Sequence, residues 1–111
     1  MEVYVNGVPE GSQTYAGVPV VGASPVTIGE SSGFPGRGWS GVIDEVRIWN
    51  LARNSQELNQ TMATPLSGNE PGLAAYLPMN EGAGTITSNL LGCDGSFAGG
   101  LGDEGWVDGF V

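Results

Sequence analysis

The sequence predicts an all-β fold, an antiparallel β-sandwich with one short helix. Three observations support this prediction. First, 20 glycines and 7 prolines in 111 residues place turn-forming residues throughout the chain. Second, apolar residues make up 40% of the chain, which is enough for a packed core. Third, short alternating or β-branched segments lie between the turns, as expected for short strands joined by tight turns.

The first half of the chain divides into strands and loops. Residues 2–7 (EVYVNG) alternate and then turn at Asn-Gly, a strong hairpin signal. A second strand is predicted over residues 12–21 and a third, β-branched, over residues 25–29 (PVTIG). Residues 31–38 (SSGFPGRG) have the composition of a loop. Residues 39–49 are predicted to form the longest strand.

The second half contains the one predicted helix, over residues 54–62. Asn54 is suited to the N-cap, and Glu57 three residues later completes a capping-box pattern. Residues 63–72, with two prolines, are predicted to be a linker. Further strand segments are predicted over residues 73–80, 85–86 and 96–98.

The charge balance excludes several classes of partner. The chain has twelve acidic residues, three arginines, no lysine and no histidine, for a formal net charge of −9. Nucleic-acid phosphates and anionic membrane surfaces repel such a chain, and no apolar run approaches the roughly 18 residues of a membrane span. We therefore expect no nucleic-acid partner and no membrane insertion, whereas cations such as calcium are attracted. The single cysteine, Cys93, excludes an internal disulfide.

Two acids stand in the first half of the predicted strand over residues 42–49. Alternate side chains share a face of a strand, so Asp44 shares its face with apolar neighbours. A carboxylate in that position needs hydrogen-bond donors or a cation to offset its desolvation. Asp44 is therefore either bonded to a turn or an arginine, or it is a calcium ligand. Glu45 and Arg47, on the opposite face, are predicted to form surface cross-strand pairs.

Four stretches of the chain resemble one family. Residues 41–58 (GVIDEVRIWNLARNSQEL) are similar to the closing strand and short helix of laminin-G-like jelly-roll domains, of the concanavalin A-like lectin and glucanase superfamily. Residues 3–9 (VYVNGVP) resemble a hairpin of that family, and residues 26–29 (VTIG) resemble one of its strands. Residues 72–85 (GLAAYLPMNEGAGT) resemble its opening strand. The resemblance implies a jelly-roll-like sandwich.

The order of these stretches departs from the family. Residues 1–62 resemble the end of one domain, residues 63–72 are a linker, and residues 73–111 resemble the start of the next domain. We interpret residues 1–111 as a single β-sandwich domain, reduced or permuted.

This order has two structural consequences. In the family the first and last strands are neighbours in one sheet, so segments 42–49 and 73–79 are expected to pair. The middle strands of a complete jelly roll are missing, which leaves an apolar face without cover. The result is either a compact reduced sandwich or, as we expect, self-association into a dimer or higher oligomer.

The resemblance also implies a structural calcium ion. Members of the superfamily often hold calcium between the start and the end of the jelly roll, and their closing-strand acid corresponds to Asp44. The nearest further oxygen donors are Asn80 and Glu81. Thr87 replaces the acid of the family's usual loop, which weakens the site, and Asp94 is positioned to compensate for it.

Sugar binding is the second chemistry that the resemblance implies. Lectin-type sites combine an aromatic platform with polar groups that bond to hydroxyls. Phe34, Arg37 and Trp39 form the best local cluster, in or beside a loop, where binding residues concentrate. Trp106, in a later loop, is a fourth candidate ligand-binding residue. For each aromatic the alternative is packing, which is the role predicted for Trp49.

Catalysis is not predicted. Glucanases of the superfamily use a Glu-x-Asp-x-Glu strand, which this sequence lacks. Asp44 and Glu45 are adjacent, so in a strand they point to opposite faces. Without histidine or lysine, histidine-based triads and Schiff-base chemistry are excluded.

The sequence therefore predicts a non-catalytic carbohydrate- or ligand-binding or adhesion module of an extracellular protein. The alternative is a structural, self-associating repeat segment with no ligand of its own. The parent protein is expected to be secreted or on the cell surface. Strand-like residues follow Met1 directly, so no signal peptide is expected in this chain.

Overall fold

The computed structural model describes residues 1–18, 22–23, 25–30 and 36–96. Their fold is all-β with one short helix, as predicted. Every strand pairing is antiparallel, and the described strands form three separate two-stranded sheets. The packing of two sheets into a sandwich therefore stays a prediction. The elements are β1 (Glu2–Val5), β2 (Val8–Ser12), β3 (Val46–Trp49), α1 (Ser55–Thr61), β4 (Leu73–Leu77), β5 (Ile86–Thr87) and β6 (Gly95–Ser96).

The first sheet is the hairpin predicted from Asn6 and Gly7. Both residues have positive φ angles, 50° and 75°, as the favoured two-residue hairpin turn requires. β2 follows the turn directly and pairs with β1. Residues 13–18 form no strand, so the prediction of a second strand over residues 12–21 is wrong there, and residues 19–21 lie outside the described residues. Pro9 lies in β2, where a residue without an N–H is tolerated because strand β2 pairs only with β1 among the described strands.

The second sheet joins segments from the two halves of the chain. β3 pairs antiparallel with β4, so that Val46 lies opposite Leu77 and Ile48 opposite Ala75. The predicted pairing of segments 42–49 and 73–79 is therefore confirmed. The two halves of the chain thus meet in one sheet.

Both strands of this sheet are shorter than predicted. Glu45 has a φ angle of 54°, a left-handed conformation that interrupts extended backbone. The strand predicted from residue 39 therefore begins only at Val46, and the predicted face shared by Asp44 and the apolar residues after it is wrong. At the other end, β4 stops before Pro78, whose nitrogen cannot donate to a ladder.

Helix α1 forms where it was predicted, with its N-cap confirmed. Asn54 Oδ1 accepts from the Glu57 N–H at 3.0 Å, and Glu57 Oε2 accepts from the Asn54 N–H at 2.9 Å. A cap of this kind contributes about 0.5–2 kcal/mol. The helix also holds the first hairpin, because Ser55 Oγ and Asn59 Nδ2 donate to the Gly7 carbonyl at 2.5 and 3.1 Å.

A loop, rather than a strand, covers the second edge of β4. The Tyr76 N–H donates to Asn89 Oδ1 at 3.0 Å, and the Leu90 N–H donates to the Tyr76 carbonyl at 3.0 Å. β5 and β6 pair with each other at the two ends of this loop. The loop thus satisfies backbone groups of β4 that would otherwise be exposed at the edge.

The buried core is small and comes from one strand. Among the described residues the buried apolar side chains are Leu73, Tyr76 and Leu77, all on β4. Many large apolar side chains elsewhere are exposed, including Val5 and Val8 of the first hairpin, which are 53% and 55% exposed. With so little apolar burial in the described part, polar contacts carry much of the packing between elements.

A network of polar side chains connects β3, β4 and α1. Arg47 Nη2 donates to Glu45 Oε2 at 2.5 Å and to the Thr64 carbonyl at 2.7 Å, while Arg47 Nη1 donates to the Thr61 carbonyl at 2.7 Å. Tyr76 Oη donates to the Glu45 carboxylate, at 2.9 and 2.8 Å from its two oxygens. The Arg47 and Glu45 side chains are only 10% and 8% exposed. The prediction that Glu45 and Arg47 form surface pairs is therefore wrong.

The network forms because a buried ion pair requires further hydrogen bonds to offset its desolvation. Thr61 is the last residue of α1, and its carbonyl has no partner within the helix. Arg47 supplies both that donor and a positive charge near the negative end of the helix dipole. Burial and the contact with Glu45 raise the pKa of the Tyr76 phenol, so that the phenol remains a protonated donor at neutral pH.

We expect Tyr76→Phe to lower the free energy of unfolding by about 1–3 kcal/mol, because the buried Glu45 carboxylate loses a donor. Urea unfolding at neutral pH measures the loss. Tyr15→Phe is the matched control: Tyr15 is 69% exposed, and its substitution should change the free energy by less than about 0.5 kcal/mol. Equal stabilities of Tyr76→Phe and the wild type would contradict the role of this hydroxyl.

The same comparison has a defined pH dependence. The folded-state pKa of Tyr76 is raised above its usual value of 10.0. The stabilisation by the phenol proton is therefore complete below that value and is lost as pH rises through the folded-state pKa. The difference in unfolding free energy between the wild type and Tyr76→Phe should be constant from about pH 7 to about pH 9 and shrink in more alkaline buffer.

Candidate functional site

A groove of about 580 Å³ lies beside the short loop that carries Arg37 and Trp39. We refer to it as the Trp39 groove. Two of the four predicted ligand-binding residues, Arg37 and Trp39, therefore share one site. The other two, Phe34 and Trp106, lie outside the described residues. The groove is lined by Thr27, Gly29, Glu30, Arg37, Gly38, Trp39 and Ile43.

Trp39 is held through its polar atoms and remains open to solvent. Its backbone N–H donates to the Gly29 carbonyl at 2.6 Å, and its indole Nε1 donates to the Val42 carbonyl at 3.3 Å. The indole lies close to Gly41, where a Cβ atom would come within 2.9 Å of Nε1. Trp39 is nevertheless 67% exposed. The result is an aromatic ring with a set orientation and an accessible surface.

Gly29 also lines the groove. Its φ angle is 86°, a conformation that favours glycine, and a Cβ atom there would lie 3.2 Å from Ile43 Cδ1. The predicted strand over residues 25–29 is not formed, because the chain turns at Gly29. The turn directs its carbonyl to the Trp39 N–H, which closes the loop between them.

Among the described residues that line the groove, Glu30 and Arg37 are the charged side chains. Glu30 Oε1 accepts from the Gly36 N–H at 3.2 Å, and a Cβ atom on Gly38 would lie 3.8 Å from the Glu30 carboxyl carbon. Glu30 thus lies against the turn that carries Arg37, and the two formal charges in the groove cancel.

Sequence reasoning missed Glu30 and Thr27 as groove residues. The available signal was the position of Glu30, directly after the turn glycine Gly29 and at the start of the loop that carries Arg37.

Two of the predicted metal ligands come together at one turn. Glu81 Oε1 accepts from the Ser88 N–H at 2.7 Å, and Asp94 Oδ1 accepts from the Asn89 N–H at 2.9 Å. Because Ser88 and Asn89 are adjacent, both carboxylates lie beside the same short stretch of backbone. Their observed role is to hold the loop that follows β5.

The other two predicted ligands do not join this pair through any described contact. Asp44 lies in the wall of a second cavity, of about 330 Å³, between β3 and α1. Its Oδ1 accepts from the Glu45 N–H at 2.9 Å. Asn80 is exposed.

Calcium takes six to eight oxygen ligands. Within the part of the chain that the structure describes, no group of three or more histidine, cysteine, aspartate or glutamate side chains could hold a metal ion. In this arrangement the four predicted residues do not form such a group, and calcium binding stays a prediction.

Trp49 packs beside the helix, in agreement with its predicted role. It lines the second cavity together with Leu58 and Met62 of α1. The Arg53 guanidinium lies over its ring at 4.2 Å from the centroid, a cation–π contact. Arg53 also pairs with Glu57 at 3.8 Å.

One comparison with known proteins identifies a family. A laminin G-like family model, described as concanavalin A-like lectin/glucanases superfamily, matches residues 1–59, which is more than half of the 111 residues. No curated protein and no solved structure matches the chain. The matched region contains the whole Trp39 groove, and residues 73–111 lie outside it.

Domains of this kind are in general lectin-like or adhesion modules, typically extracellular and generally non-catalytic. No helix within the described residues has the length and apolar character needed to cross a bilayer. Through its laminin G-like segment, the chain belongs to the concanavalin A-like lectin/glucanase superfamily.

Proposed function

We propose that this chain is a non-catalytic carbohydrate-binding module of a secreted or cell-surface protein, with the Trp39 groove as its binding site. The observation that carries the proposal is Trp39, which is 67% exposed yet held by hydrogen bonds from its backbone N–H and its indole Nε1. An indole offers an apolar face that can lie against the apolar face of a sugar ring. Because the ring is oriented before binding, little side-chain freedom is lost.

Polar groups around the ring supply the hydrogen bonds that a sugar requires. The Arg37 guanidinium carries five N–H donors, and the Glu30 carboxylate accepts. A few polar groups beside an apolar surface are typical of ligand sites, whose volumes are about 300–1,000 Å³. The groove volume of about 580 Å³ falls in this range. Phe34 and Trp106 belong to the same proposal as further predicted contacts.

The composition of the groove favours binding over hydrolysis. Glycosidases place two carboxyl groups across the scissile bond. Among the residues described as lining the groove, Glu30 is the one carboxylate, and it accepts from the Gly36 N–H. We therefore propose recognition of a glycan without its cleavage.

We expect Trp39→Ala to weaken glycan binding at least about ten-fold, because the sugar ring loses the apolar surface that the exposed indole provides. Affinity gel electrophoresis in gels containing a soluble polysaccharide measures the binding, after a glycan array has identified a polysaccharide that is bound. Tyr15→Ala is the matched control, because Tyr15 is also exposed, at 69%, but lies outside the groove. Wild-type retardation of Trp39→Ala would contradict the proposed site.

A second function, self-association, is favoured by the exposed apolar side chains. Val5 and Val8 lie opposite each other in the first hairpin, so their side chains share one face. Each is more than half exposed, and Val3 on the same strand is 52% exposed. We propose that a second copy of the chain covers this face, as the alternative in which the segment has a structural role and no ligand.

We expect a concentration-dependent dimer or larger species in sedimentation velocity, strengthened by salt because each copy carries a net charge of −9. Val5→Thr combined with Val8→Thr should weaken the association, since threonine keeps strand propensity but lowers the apolar area. Val18→Thr is the control, because Val18 is 84% exposed and lies outside the strands. A monomer at every concentration and salt would reject this alternative.

Calcium binding by Asp44, Asn80, Glu81 and Asp94 is tested separately by melting. If the chain binds calcium in the folded state, calcium at 100 times its dissociation constant adds about 2.7 kcal/mol to the free energy of unfolding. The melting temperature in calcium would then exceed that in EDTA. Equal melting temperatures across millimolar calcium and EDTA would remove the ion from the proposal.

A further inference from the structure

Three arginines are the only side-chain cations in this chain of 111 residues, which has twelve acids. We infer that the Trp39 groove selects uncharged glycans and rejects sulfated or carboxylated ones. This inference rests on the proposed function of the groove as a sugar site. It is carried by the acidic side chain that accompanies each arginine.

Two of the arginines make ion pairs and other contacts within the folded chain. Arg47 is 10% exposed and bonded to Glu45 and to the carbonyls of Thr61 and Thr64. Its guanidinium therefore has little capacity left for a ligand in solution. Both it and its acid partner belong to the contact between β3, β4 and α1.

Arg53 is also engaged. Its guanidinium lies over the Trp49 ring at 4.2 Å and pairs with Glu57 at 3.8 Å. A sulfate or carboxylate arriving at Arg53 would meet the Glu57 carboxylate beside it. The positive charge at this position is therefore already offset within the chain.

The third arginine, Arg37, lies in the groove together with Glu30. The formal charge of this pair is zero, and Glu30 is held against the same turn by the Gly36 N–H. Recognition of sulfate or carboxylate groups uses arginine and lysine side chains whose charge is available to the anion. The groove provides no such excess of positive charge.

The charge of the whole chain acts in the same direction. A net charge of −9 and an isoelectric point near 4.1 give a negative field around the molecule. At an ionic strength of about 0.15 M this field is screened beyond about 8 Å, so it acts mainly on polymers close to the surface. An anionic polysaccharide is repelled there, whereas a neutral one is not affected.

The test compares neutral polysaccharides with their own sulfated derivatives. Dextran, mannan and a soluble β-glucan, each paired with its sulfated form, are cast into native gels with the full chain as the migrating protein. We expect at least one neutral polymer to retard the chain and its sulfated partner to bind at least about ten-fold more weakly. Retardation by the neutral polymer should not change with added salt, because screening does not affect an uncharged ligand.

A pair of variants separates the groove charge from the total charge. Glu30→Gln keeps an acceptor for the Gly36 N–H but leaves Arg37 without an acidic neighbour among the lining residues, so it should bind the sulfated polymer at low salt. Glu10→Gln removes the same charge from an exposed position on β2 and should not. If Glu10→Gln bound the sulfated polymer as well as Glu30→Gln does, the rejection of sulfated glycans could not be assigned to the charge of the groove.

Two further outcomes distinguish failure of this inference from failure of the proposed function. Trp39-dependent retardation that is as strong in a sulfated gel as in its neutral partner would overturn this inference and leave the proposed sugar site standing. No retardation in any of the gels would overturn the proposed function, and the inference with it.

Discussion

The buried ion pair between Arg47 and Glu45 determines how β3, β4 and α1 lie against one another. In a larger core such a pair contributes little, because desolvation of both charges offsets their attraction. In this chain the described apolar core comes from β4 alone, and the pair receives further hydrogen bonds from groups in α1, in the segment after it and in β4. Arg47 bonds the end of α1 and the segment that follows it, while Tyr76 bonds the carboxylate from β4. The ion pair thus supplies a donor to the Thr61 carbonyl at the end of α1 and an acceptor to the Tyr76 phenol. It thereby connects the two halves of the chain.

The candidate binding site uses a different part of the chain. The described residues that line the Trp39 groove all precede β3 and make none of the described hydrogen bonds of the Arg47 network. Folding and binding should therefore respond to different substitutions, which makes the proposed function accessible to mutation. The positions of the three arginines determine the charge of the groove. Arg47 and Arg53 make their ion pairs elsewhere, whereas Arg37 lines the groove together with Glu30 and the exposed indole.

The pairing of β3 with β4 joins two segments that differ in their match to the family. β3 belongs to the part of the chain that matches the family, whereas β4 lies outside the matched residues, yet they pair in one sheet. The edge of β4 that faces away from β3 is occupied by Asn89 and Leu90 of a loop. The first hairpin contacts α1 through the Gly7 carbonyl and leaves its valines exposed. Apolar faces of this kind are normally covered by another sheet or another chain.

Local sequence determined the features whose hydrogen bonds close within a few residues. The Asn6-Gly7 turn and the Asn54–Glu57 cap were predictable for this reason, as was the pairing of β3 with β4 from the family resemblance. The length of β3 was not predictable. Glu45, directly before β3, has a left-handed conformation that stops the strand from extending further back, and its residue type does not signal this. The network itself joins Arg47 to Thr61, 14 residues away, and Tyr76 to Glu45, 31 residues away. Such contacts depend on how the helix packs against the sheet, so only the tertiary structure decided that Glu45 and Arg47 are buried and that Glu30 shares a groove with Trp39.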